Sequence, residues 1–211
     1  MRITSERYEK QRIRWPGTGQ HILAQFDQRS VVVYQAYRPE IGEFAVSHGY
    51  FGGAFRLSRM SWIKPNFLWM MYRSGWGTKP DQEMTLAVRI KRSAFDFMLA
   101  SAVHSSFQPE IYSSHEAWQE QCKRSEIRLQ WDPDHCPKGR KQERRAIQIG
   151  IRGEALRKYS REWILEIEDV SEFVAQQRVR VEDLGILITP REEVYPPANT
   201  EIAVRLGMGA G

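Results

Sequence analysis

The chain has 211 residues, enough for one large domain, and its 41% hydrophobic and 27% charged content is that of a globular protein with a real core. Two cysteines exclude a disulfide framework. No apolar run approaches a bilayer span and the N-terminal MRITSERYEKQRIRW lacks the apolar stretch of a signal peptide, so a cytoplasmic protein with no membrane partner is expected. The 31 basic against 26 acidic residues leave a charge of +5, which favours nucleotides or nucleic acid as partners.

Residues 1–29 read as a segment packed on the domain rather than as a unit of their own: a basic helical piece to Arg14, the turn PGTG at 16–19, and an apolar patch at 21–26. SVVVYQAY, Ser30–Tyr37, has the β-branched density of a central strand. Residues 38–49 follow as a helix, with Pro39 at its start and Gly49 at its end. The window 59–79, RMSWIKPNFLWMMYRSGWGTK, is the centre of the chain. It carries three of the seven tryptophans and four cations with no acid. Its run Phe67 to Tyr72 is apolar all round a helix, which predicts a buried central helix over about 65–74 with Pro65 in its first turn and Gly75 past its end.

MTLAVRIK, Met84–Lys91, alternates as a strand, and 95–103 reads as the helix after it. Ser114 is placed to cap a helix at 113–125, and 125–132 alternates again with Ile127, Leu129 and Trp131 on one side. PDHCPKGRKQERR, at 133–145, reads as a loop with five cations among the eight positions 138–145. Strands at 146–151 and 163–170 and a helix from Ser171 complete a single domain over 1–189. Residues 190–211 read as a loose tail, because prolines and glycines replace periodicity there. The fold class is α+β, with a mixed, largely antiparallel sheet around the buried helix.

The phosphate-loop, dinucleotide-fold, serine-hydrolase and zinc-protease signatures are all missing. Asp132, Asp134, His135 and Cys136 are metal-ligand types in one patch without a second ligand pair, so they read as a turn and no metal is expected. Tyr34 shares a strand face with Val32 and belongs to the core, whereas Tyr37 at the strand end is the cleft candidate. Cations flanking so apolar a helix either face water separately or share an anion. The second arrangement puts Arg59, Lys64, Arg73 and Lys79 around one cleft, with Ser61 and Ser74 donating hydroxyls at the two helix ends and Tyr37 or Trp76 stacking on a ring. Gln130, Asp132 and Arg145 form the opposite wall, Asp132 pairing with an arginine while the site is empty. Tyr37, Arg73 and Asp132 are the catalytic candidates and the others bind the ligand.

VVVYQAY, RMSWIKPNFLWMMYRSGWGTK with Gln82 after it, IRLQWDP, RRAIQIGIRG and WILEIEDV together resemble the family named domain of unknown function 4291, over roughly residues 15–175. That resemblance brings no established reaction. In the order of its elements the chain is also similar to ADP-ribosyltransferases, which split NAD between an early strand bearing His or Arg, a central Tyr or Ser, and a late Glu. Here the early strand offers Tyr34 and Tyr37, and Glu166 and Glu168 lie on a late strand. This second resemblance implies a nucleotide- or nucleic-acid-directed transferase with NAD as donor. The alternative is a non-catalytic RNA-binding module that uses the basic stretch 138–145 on phosphates.

Overall fold

Two largely antiparallel sheets meet at one residue pair, and the buried helix lies against both. The structure, a computed structural model, describes residues 3–209. In chain order its elements are β1 (Ser5–Arg7), α1 (Tyr8–Arg12), β2 (Leu23–Ala24), β3 (Ser30–Tyr37), α2 (Pro39–His48), β4 (Ser61–Ile63), α3 (Phe67–Ser74), β5 (Met84–Lys91), α4 (Arg92–Ser101) and β6 (Val103–His104). There follow α5 (His115–Arg124), β7 (Ile127–His135), β8 (Lys141–Ile151), α6 (Gly153–Lys158) with a π-turn at Tyr159–Trp163, β9 (Ile164–Asp169), α7 (Ser171–Arg178), β10 (Ile188–Pro190), β11 (Glu193–Val194) and α8 (Thr200–Arg205).

The first sheet has the order β3-β5-β9 and the second β4-β8-β7-β6, all antiparallel except the β6–β7 pair. Alternation along β3 explains the layering. Val31 and Val33 point into a core shared with Leu86, Val88 and Ile90 of β5 and with Ile127, Leu129, Ile147 and Ile149 of the second sheet. Val32 and Tyr34 point the other way, into a second cluster with Phe67, Leu68, Met70 and Met71 of α3. Both faces of the first sheet are therefore covered, and one continuous core serves both sheets, so the chain is a single α+β domain.

The central helix is buried as its sequence demands, with only Tyr72 and Arg73 reaching the surface. It begins two residues later than Pro65 suggests, because the Asn66 side chain accepts from the Trp69 N–H at 2.7 Å and takes the cap position. Gly75 ends it in a left-handed conformation, φ 59°. Glu192 reinforces the start: its Oε1 accepts from the Phe67 N–H at 2.6 Å and its Oε2 from the Asn66 amide at 3.0 Å.

Two expectations fail. The basic stretch 138–145 is not a loop: β7 runs on to His135 and β8 starts at Lys141, so the cations belong to a hairpin with a bulge between Pro133 and His135. The run of charge masked an alternation in which Arg144 turns inward to Asp134, a buried ion pair that also takes in the Pro16 carbonyl. Nor is the C-terminal segment loose. β10 pairs with β1 and β11 with β2, while Glu192, Tyr195, Ile202 and Leu206 are buried. Strands of two or three residues are too short to show a period, and the N-terminal residues to which they pair lie far away in sequence. The last two residues, 210 and 211, lie outside the described ones. Among the described residues no helix is long and apolar enough to cross a membrane.

Candidate functional site

Strands β3 and β4 share one bridge, Tyr34 with Lys64, and then part. Beyond it side chains replace the ladder: the Gln35 amide donates to the Tyr37 hydroxyl at 2.6 Å and to Ser61 Oγ at 2.9 Å, and these two hydroxyls bond each other at 2.9 Å. The Gln35 carbonyl accepts from the buried Tyr159 hydroxyl at 2.6 Å. Two hydroxyl protons serve Tyr37 and Ser61 and only one is used between them, so one donor remains for whatever lies above. Burial pushes the Tyr37 phenol well up from its ordinary range, against the bond from Ser61 and the charge of Arg59. It is thus a hydrogen-bonding phenol and not a base.

This network floors a cleft of about 730 Å³, in the size range of small-molecule sites. Arg38, Arg56, Arg59, Lys64 and Arg73 line it against one acid, Asp81, so its charge calls for an anion. Among the described residues the Arg73 guanidinium bonds Gln82 alone, at 3.4 Å. Arg56 and Arg59 are exposed, and their guanidiniums have no hydrogen-bond or ion-pair partner among the described residues.

Lys64 differs from these arginines. It is only 4% exposed, and among the described residues its ammonium has neither a hydrogen bond nor an ion pair. Burial first, then the Arg73 cation, push its pKa down to about 8, with Asp132 opposing. Asp132 does not reach it as a partner, because Oδ1 accepts from the Gln130 amide and Oδ2 from the Gln148 amide, each at 2.8 Å. An arginine was the expected partner of Asp132; two glutamines take both oxygens. Gln130 and Gln148 face each other across β7 and β8 and form the cleft's far wall.

Tyr37, Arg59, Ser61, Lys64, Arg73 and Gln130 thus line one cleft, with Asp132 bonded to its wall. Four other candidates lie elsewhere. Lys79 curls back to cap α3, its amine donating to the Arg73 carbonyl at 2.8 Å and the Tyr72 carbonyl at 3.5 Å. Ser74 is buried and spends its hydroxyl on the Met70 carbonyl at 3.0 Å. Trp76 packs edge-on against Phe67 and donates to the Pro137 carbonyl at 3.2 Å. Arg145 pairs with Pro133, an odd three positions along the ladder from the Gln130–Gln148 pair, so its side chain belongs to the opposite face of the sheet.

Gln35 and Gln148 were missed. Both interrupt apolar runs, VVVYQAY and AIQIGI, and a polar residue inside a run otherwise fit for burial is the signal that marks them. Glu166 and Glu168 stand on β9, which β5 separates from β3, and neither lines the cleft; the late strand that does contribute carries Gln148 instead. In the hairpin, Lys138 is engaged by Glu182 at 2.7 Å and Arg144 by Asp134, and among the described residues Arg140, Lys141 and Arg145 of the five cations have no ion pair. Among the described residues no three metal-ligand types gather into a group.

The family model described as Domain of unknown function (DUF4291) matches residues 21–195, most of the chain, and the chain belongs to that family. Its match extends through Tyr195, the residue that anchors the C-terminal segment in the core. No curated protein matches the chain.

Proposed function

Starting from a family whose description carries no activity, we propose that the cleft binds a nucleotide through its phosphates and that the protein is a transferase acting on that nucleotide, with NAD as donor. The observation that carries this reading is a cleft lined by five cations and one acid, in which the exposed Arg59 guanidinium and the nearly buried Lys64 amine have no partner among the described residues. A pyrophosphate would take charge-assisted bonds from the Arg59 and Arg73 guanidiniums and leave the Lys64 amine facing the sugar. The spare hydroxyl proton of the Tyr37–Ser61 pair and the Gln130 and Gln148 side chains suit ribose hydroxyls and a carboxamide.

Calorimetric titration with NAD tests the reading, with a short RNA as comparison. Saturable NAD binding, suppressed by inorganic pyrophosphate and weakened in Arg73→Ala, supports it. Binding of RNA alone, falling steeply with salt and lost when Arg140, Lys141 and Arg145 are neutralised, would replace it with the RNA-binding alternative.

A further inference from the structure

ADP-ribosyl transfer passes through an electron-poor anomeric carbon, which a carboxylate ordinarily steadies. In this cleft that support is lacking. Among the described residues its one lining acid, Asp81, is exposed, and Asp132 has both oxygens bound by glutamine amides. An electron pair is available from another source. Lys64 is fixed from both sides of its backbone, its N–H donating to the Tyr34 carbonyl and its carbonyl accepting from the Tyr34 N–H. Its side chain lines the cleft, and its amine is not held by any acceptor among the described residues and is shifted toward the neutral form by burial and by the neighbouring Arg73. A desolvated lysine beside a second cation is the standard way to make an amine nucleophilic at neutral pH.

We propose that Lys64 is the nucleophile of this cleft, attacking the anomeric carbon of a nicotinamide ribosyl nucleotide whose phosphates rest on Arg59 and Arg73; the inference depends on the nucleotide reading above. The Nζ lone pair forms the bond to the ribose carbon as the carbon–nitrogen bond to nicotinamide breaks. That bond's electrons return to the pyridinium ring, so nicotinamide leaves neutral, and Nζ gives one proton to water. Protonation of the ring oxygen, cleavage of its bond to the anomeric carbon and donation from Nζ then give a protonated imine. Attack by an acceptor or water places the imine's π electrons on Nζ and gives up the attacking group's proton. Nζ then takes a proton, the hydroxyl freed by ring opening closes on the anomeric carbon as the carbon–nitrogen bond breaks and loses its own proton, and Lys64 leaves as the neutral amine.

The imine makes the step testable. The full chain is incubated with NAD and cyanoborohydride, nicotinamide is quantified, and peptides are mapped by mass spectrometry beside calorimetric titrations with NAD. The expected result is a reduced ADP-ribosyl adduct concentrated on Lys64 with matching nicotinamide release, lost in Lys64→Met and suppressed by pyrophosphate. Mapping on the native chain keeps the test valid if that variant folds poorly. NAD binding without an adduct, or an adduct spread over exposed lysines such as Lys79 and Lys141, overturns the nucleophile and leaves the nucleotide reading standing. Absence of NAD binding overturns both.

Discussion

Tyr34 and Lys64 exchange both of their backbone hydrogen bonds, at 2.7 Å and 3.2 Å, and this single bridge joins β3 to β4. It sets the depth of the cleft. On the side toward Tyr37 the strands part and polar side chains fill the gap. On the other, Asn66 caps the buried helix that carries Arg73. The main chain of Lys64 is therefore fixed, while the guanidiniums of Arg56 and Arg59, unpartnered among the described residues, are free to follow a ligand.

Removing the Lys64 charge should stabilise the fold at neutral pH. The folded amine sits at about 8 against 10.5, so between those values the unfolded chain holds a proton that the folded chain has shed, and stability rises with pH across that window. Below it the charged amine costs the fold roughly 3.5 kcal/mol at most, taking about 1.4 kcal/mol per pH unit. Urea melts should show Lys64→Met more stable than the native chain at pH 7 and equal to it near pH 10.5. Arg73, Asp132 and Asp81 remain in both proteins, so the difference isolates Lys64. A variant less stable at pH 7 would mean that the ammonium has a partner.

The cations should separate by position. Arg59→Ala removes a guanidinium from the cleft and is expected to weaken NAD binding roughly ten- to a hundredfold, the worth of about 1.5–3 kcal/mol for a charge-assisted bond. Arg145→Ala, on the far face of its sheet, should leave the affinity unchanged. Equal losses in calorimetry would show that net charge, and not the cleft, governs binding.

Glu192 ties the C-terminal segment to the core helix. Besides the Phe67 N–H and the Asn66 amide, its own N–H donates to Gln11 and its carbonyl accepts from the Trp15 indole, each at 2.9 Å. Glu192→Ala leaves the buried Phe67 N–H unsatisfied and should cost about 1–3 kcal/mol in a denaturant melt. Burial holds this carboxyl well above its ordinary range, so its contribution is complete at acid pH and declines as pH rises through the folded value. A melt of Glu192→Ala that matches the native chain would contradict this role.

Ending the chain at residue 189 should abolish folding. It removes Tyr195, whose hydroxyl donates to Asp96 at 2.7 Å, together with Ile202 and Leu206, and core truncations of that size cost roughly 2–5 kcal/mol each. Circular dichroism of the truncated chain checks this, and a native-like spectrum with a cooperative melt would refute it.

Where the chain has long range in its own pattern, its fold is legible. β-branched density and alternation place Ser30–Tyr37 and Met84–Lys91 to the residue, and an apolar run with no wet face identifies the buried helix. What fails is partnership. Whether Pro190–Tyr195 is a tail depends on strands far away in sequence, and whether 138–145 is a loop depends on Asp134 receiving Arg144. The site follows the same division. Arg59, Lys64 and Arg73 flank the helix and share its cleft, but Lys79 is equally close in sequence and spends its charge on the helix carbonyls. Arg145 is lost by an odd step of strand register, which composition does not encode.

The most direct test is a crystal structure with ADP-ribose, which carries the phosphates of NAD and stays intact during growth. The account predicts its pyrophosphate between Arg59 and Arg73, with the terminal ribose over Lys64 and within reach of the Tyr37–Ser61 hydroxyls. Nucleotide bound along the 138–145 hairpin, with the cleft open, would contradict it.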